Sequence, residues 1–163
     1  MSWPVAEFDQ VRRLRVLAAG IPGARVAERL IPAPFEEVWG IVSDLEHELG
    51  TFEPDMHSVT VRRVGDRVEA RARGVLGLRA RFDVELDPGW CWMQSRFLLI
   101  GLAAVPAPGG TLVAATGGIR VPGRSALVPI GVLASNRRAL RRLAARLSGG
   151  APAGIPGPPT PRR

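Results

Sequence analysis

The spacing of apolar and polar positions changes several times along the chain, and each change marks an element. Residues 2–19 read as a short helix, with Ser2 as its cap and Pro4 early in the first turn, stopped by Gly20, Pro22 and Gly23. The run ARVAERLI, Ala24 to Ile31, alternates β-branched and apolar side chains and predicts a strand. Pro34 then suits the first turn of a helical segment. Val38, Ile41, Val42, Leu45 and Leu49 recur there at helical spacing, and Glu36, Glu37, Asp44 and Glu48 mark the wet side. A break is expected near Ser43 and Asp44, and Pro54 ends the segment.

From Ser58 onward the period becomes two. SVTVRRV and RVEARARG flank Gly65-Asp66, LRARFDVELD and WCWMQSRFLLI flank Pro88-Gly89, and LAAV and TLVAATGGIRV flank a looser PAPGG. Six strands follow one another with no helix between them, so antiparallel pairing is expected. Gly117-Gly118 reads as a kink or bulge in the last of them. The period returns to helical within Ser125 to Leu147, regular from about Pro129. Leu133, Asn136, Leu140, Leu143, Ala144 and Leu147 share one face, with Arg138, Arg141, Arg142 and Arg146 opposite. Residues 148–163 hold too much Gly and Pro to order themselves.

Composition alters this picture little. The 163 residues suffice for one domain with one core. The formal charge of +7 comes with arginine as the sole basic residue besides two histidines, no lysine and no tyrosine. That is a compositional bias, so charge alone is a weak pointer to a polyanion, and no specific nucleic-acid partner is expected. One cysteine, Cys91, rules out an internal disulfide and fits a reducing cytoplasm. No run approaches the roughly 20 apolar residues of a transmembrane helix.

Strand, helix, six-strand meander and long final helix form a specific order. With IPAPFEEVWGIVSDLE, TFEPDMHSVTV, the Asp87-Pro88-Gly89 hairpin and the amphipathic last helix, the chain resembles the START-like family over roughly Ala24 to Leu147. This family is also called SRPBCC, the polyketide cyclase/dehydrase and lipid-transport group. The resemblance implies an α+β helix-grip fold, in which a curved antiparallel seven-stranded sheet (β-α-α-β6-α) wraps the long C-terminal helix around an apolar cavity. Residues 1–23 would be a helical extension, 24–147 the domain and 148–163 a disordered tail.

Turn geometry assigns faces. If Asp87 and Trp90 flank a two-residue turn, partner numbers sum to 177 and Phe82 faces Ser95, Val84 faces Met93 and Ala80 faces Phe97. The inner face then carries Leu78, Ala80, Phe82, Val84, Leu86, Cys91, Met93, Ser95, Phe97 and Leu99, joined by Val59, Val61, Arg63, Val68, Ala70 and Ala72 from the earlier hairpin. Candidate ligand contacts are Phe52, Arg63, Phe82, Val84, Met93, Ser95, Phe97, Leu133, Asn136 and Leu140. Asn136 either orients a ligand or bonds a strand backbone or Ser95; Arg63 snorkels to water or meets a ligand carboxylate. Trp90 and Trp92 on the outer face mark either a homodimer contact or rings lying under arginine stems.

Catalytic patterns are sparse. His47 and His57, near Asp44 and Asp55, match no metal-ligand spacing, so neither metal nor cofactor is expected. The expected function is binding or carriage of a lipid, an isoprenoid or a polycyclic aromatic. A polyketide aromatase/cyclase acting on a poly-β-ketone, as the resemblance allows, and a non-enzymatic interaction or regulatory domain remain alternatives.

Overall fold

The computed structural model describes residues 8–53, 56–65, 67–74, 77, 79–120, 127–128 and 131–149. Expectations placed on Ser2, Pro4, Pro54, Asp55, Asp66, Leu78, Pro129 and the tail from residue 150 lie outside them.

The first described helix, α1 (Gln10–Ala19), is capped by Asp9, whose carboxylate accepts from the Arg12 backbone N–H at 2.8 Å. Next come β1 (Arg25–Ile31), α2 (Phe35–Ser43) and the single turn α3 (Leu49–Phe52). The predicted break thus falls between α2 and α3. The meander is β2 (Met56–Val64), β3 (Arg67–Gly74), β4 (Arg79–Asp87), β5 (Trp90–Gln94), β6 (Leu98–Ala107) and β7 (Gly110–Arg120). A two-residue strand β8 (Leu127–Val128) and the long helix α4 (Val132–Ser148) complete the described chain.

The sheet is antiparallel throughout, in the order β1-β7-β6-β5-β4-β3-β2, with β8 added against β7. Strand, two helices, meander and long helix make the α+β helix-grip architecture. Both hairpin registers follow from their turns. Asp87 pairs with Trp90 and Val84 with Met93; Val61 pairs with Ala70 and Arg63 with Val68.

The inner face and the helices form the main core. Ala70, Phe82, Cys91, Met93, Leu102 and Val113 from the sheet meet Val38 and Val42 of α2, Leu49 and Phe52 of α3, and Leu140 and Leu143 of α4, all buried. The outer face is covered too, at the β5–β7 end. There α1 sets Val11 and Leu14 on Trp90, Ala103 and Ala114, the two alanines letting the helix come close. Arg13 lies 4.0 Å from the centre of the Trp90 ring and pairs with Glu85 at 2.9 Å, while Arg15 pairs with Glu28 through two bonds.

Two expectations need correction. The run from Trp90 to Ile100 is not one strand, because it turns at Ser95–Phe97. Ser95 Oγ accepts from the backbone N–H groups of Phe97 at 3.2 Å and Leu98 at 2.8 Å, and the Ser95 N–H donates to the Leu98 carbonyl at 2.8 Å. A serine hydroxyl thereby makes a turn with neither Gly nor Pro. The register of β4 with β5 stops at Asp83 and Gln94, so the pairs Phe82–Ser95 and Ala80–Phe97 do not form. Beyond the turn the faces exchange: Phe97 is 47% exposed, Leu99 joins Ala18 and Ala24 on the outer side, and Leu98, Ile100 and Leu102 point inward. Secondly, Gly117-Gly118 is no bulge. Pairing runs unbroken through Ile100–Gly117 and Leu99–Gly118, and a Cβ on Gly117 would stand 2.6 Å from the Leu99 carbonyl oxygen.

Candidate functional site

The inner face of the sheet has a floor and a rim. Ala70, Ala72, Phe82, Cys91, Met93 and Leu102 are the floor, fully buried or nearly so. Around them Val61, Ala80, Val84, Leu98 and Ile100 point the same way but are only half-buried. The long helix α4 packs mainly on β1, β7 and α3 rather than on β3–β5. The helix supplies Leu133, Ala144 and Leu147, also half-buried, to the same cluster. Alanines at 70 and 72 stand opposite Val61 and Val59, so the β2–β3 part of the wall is thin.

Of the candidate contacts, Phe52, Phe82, Val84, Met93, Leu133 and Leu140 come together in this one cluster. Ser95 and Phe97 do not, because the serine turn spends the hydroxyl on its own backbone and throws the phenyl ring outward under Arg96. Arg63 is exposed near the end of β2. Ile100 belongs to the row and was missed by the sequence; the signal was Ser95 as a turn former.

Asn136 is 8% exposed on α4 and turns its amide toward the sheet. Nδ2 donates to the carbonyls of Arg25 at 3.4 Å and Ala115 at 3.5 Å, tying α4 to β1 and β7. Two carbonyl acceptors fix the NH2 end, leaving Oδ1 as the side chain's remaining acceptor. The Arg25 carbonyl keeps a second donor, since Thr116 Oγ1 donates to it at 2.9 Å. Asn136→Leu is therefore expected to cost about 1 to 2 kcal/mol of stability, through the lost ties of α4 to β1 and β7. Thermal melting of the ligand-free variant checks this, and an unchanged or raised melting temperature would mean that the two carbonyl bonds do not hold α4 in place.

The remaining reactive groups are quiet. Burial pushes the Cys91 thiol up to about 12, so it stays protonated at neutral pH. His47 Nδ1 lies 2.8 Å from Asp44 Oδ1 at the surface; the carboxylate raises the histidine pKa and the imidazole lowers that of the aspartate. Among the described residues no three His, Cys, Asp or Glu side chains gather as a metal site, and no helix is long and apolar enough to cross a membrane.

Two depressions open at the surface. One, of about 220 Å³, is lined by Ile21, Trp92, Gln94, Ser95, Leu98, Leu99 and Arg120. The other is a broad groove of about 1110 Å³ along β3–β5 that ends at Arg120, and Arg63, Val84 and Ser95 border it. Neither is lined by α4. The outer tryptophans are accounted for within the chain: Trp90 is 1% exposed beneath α1, and Trp92 stacks beside it at 5.8 Å. Trp90 is thus withdrawn from the homodimer contact that its place on the outer face suggested, and the reading under an arginine stem describes it.

No protein-family model and no curated protein matches the chain. Solved structures do. The solution structure of the KanY protein aligns with a TM-score of 0.60 at 15% identity, over 77% of this chain and 97% of that one. A crystal structure from Thermus thermophilus aligns at 0.56 and 23% identity, over 78% and 99%. The di-domain ARO/CYC StfQ of the steffimycin biosynthetic pathway aligns at 0.59 and 9% identity; the match covers 86% of this chain and 56% of StfQ. At these identities the likeness is one of fold, and the fold it shares is the helix grip.

Proposed function

We propose that the protein, as a START-like domain, binds or carries a small hydrophobic molecule on the inner face of the sheet beside α4. A lipid, an isoprenoid or a polycyclic aromatic fits the chemistry. The observation that carries this reading is the half-buried apolar row of Val61, Ala80, Val84, Ile100 and Leu133. Apolar surface left in water forgoes about 25 cal/mol per Å², and a ligand that covers the row recovers it for binding. The mechanism is desolvation of Val61, Val84 and Ile100 above the buried floor of Phe82 and Met93, with Asn136 Oδ1 as the polar group that orients a ligand hydroxyl or N–H. The aromatase/cyclase alternative draws on the likeness to StfQ. Catalysis of that kind needs a proton carrier, and Cys91, locked in its protonated form, does not supply one.

The experiment is a titration with an environment-sensitive fluorescent fatty acid, on the protein and on Leu133→Glu. Leu133 is the second residue of α4, where a carboxylate meets the positive end of the helix, so folding should tolerate the change. Saturable binding is expected for the protein and a loss of about tenfold or more for the variant, since a charge would have to be desolvated against the ligand. Equal affinity in both would remove the inner row from the site.

A further inference from the structure

The outward positions of β2, β3 and β4 sort their charges by row. Register places Ser58, Arg73 and Arg79 side by side in one row and Thr60, Arg71 and Arg81 in the next. The row after that is Arg62, Glu69 and Asp83. Two adjacent rows thus carry four arginines, two hydroxyls and no acid, and all six residues are exposed. Arg81 reaches back to Glu69 in the third row. Arg71, Arg73 and Arg79 have no ion-pair partner among the described residues.

Like charges directly opposite on a sheet repel and cost stability. Compositional bias explains why these cations are arginine. It does not explain why acids, 15 of them against 22 basic residues, are absent from these rows and dense farther along β4 at Asp83, Glu85 and Asp87. The spacing suits phosphate. Neighbours stand ~5 Å apart across strands and ~7 Å apart along them, guanidinium forks bind phosphate through two hydrogen bonds, and hydroxyls can donate to the remaining oxygens.

We propose that this face docks the protein on the phosphates of an anionic lipid surface. Two observations favour lipid over nucleic acid. The outer side of a sheet curved around its helix is convex and meets a flat bilayer more fully than it meets a rounded duplex. No aromatic side chain stands in the two rows for bases to stack on. The docking face is opposite the inner row, so it holds or fails independently of the ligand proposed for that row.

The test is co-sedimentation with vesicles of phosphatidylcholine alone and of phosphatidylcholine with phosphatidylserine. Binding is expected only with the anionic lipid, and it should weaken with added salt. Each arginine near such a surface contributes roughly fivefold, so the triple variant Arg71→Gln, Arg73→Gln, Arg79→Gln should bind about a hundredfold more weakly. A second triple variant, Arg137→Gln, Arg138→Gln, Arg141→Gln on α4, removes the same charge elsewhere and should still bind. The melting temperature of the first triple should hold or rise as repulsion is relieved, which separates lost docking from lost fold. Equal losses in the two triples would overturn the proposal, since net charge alone would then be responsible. Binding to duplex DNA or RNA in place of vesicles would overturn it as well, as would indifference to anionic lipid.

Discussion

Trp90→Ala is expected to destabilise the protein by about 3 to 5 kcal/mol, the range of large aromatic truncations in a filled core. The ring is the largest fully buried side chain among the described residues, and its environment is built from both sides: Val11 and Leu14 of α1 close over it, and Ala103 and Ala114 lie beside it on the sheet. The substitution also removes the ring under the Arg13 guanidinium. Trp90→Phe should behave differently. The indole Nε1 is buried and donates to no acceptor among the described residues, an arrangement that costs about 1 to 3 kcal/mol. Phenylalanine removes the unmet donor along with some contact area, so the two changes oppose each other and the net loss should stay below about 1.5 kcal/mol. Urea denaturation of both variants decides it; a large loss with Phe would mean that the indole N–H is bonded after all.

Gly110→Val is expected to prevent folding or to cost more than about 4 kcal/mol. Gly110 opens β7 at φ +146°, a conformation that side chains rarely adopt, and a Cβ there would lie 2.0 Å from the Ile31 carbonyl oxygen and 2.9 Å from Pro32 Cα. Those atoms are backbone and cannot rotate away. The neighbouring Gly109 provides the control, since it also has positive φ, +86°, but its Cβ would meet only Leu30 Cδ2 at an ordinary 3.7 Å. Gly109→Ala should therefore cost only the conformational strain, about 1 to 2 kcal/mol. Similar effects at both positions would mean that the contact with β1 yields.

The contrast between two hairpins explains how much of the fold could be read from sequence. At Pro88-Gly89 the turn residues have one geometric meaning, so pairing and faces followed for both strands as far as Gln94. At Ser95 the chain turns through a side-chain hydroxyl inside an apolar run, where period two continues in the sequence while the faces exchange in space. Phe97 and Leu99 were therefore assigned inward, and Ile100 was not. The face of α4 was legible apart from the buried Ala139, because 3.6-residue spacing survives whatever the helix packs on. Its docking toward β1 and β7 was not, since that depends on Asn136 meeting two carbonyls far away in sequence. The second layer formed by α1 left a fainter trace. Small outward residues at Gly101, Ala103, Ala114 and Thr116 make a shallow seat in β6 and β7, a pattern that a solvent-facing sheet does not need.

The measurement that bears most directly on the inner row is a methyl chemical-shift map of the isotope-labelled protein, titrated with the fluorescent fatty acid or its unlabelled parent. The account predicts saturable shifts at Val61, Val84, Ile100 and Leu133, the half-buried methyl groups around Phe82 and Met93, with Val16 and Leu17 on the exposed side of α1 unmoved. Shifts confined to Ile21 and Leu99 would place the ligand in the depression beside Trp92 instead, and contradict it.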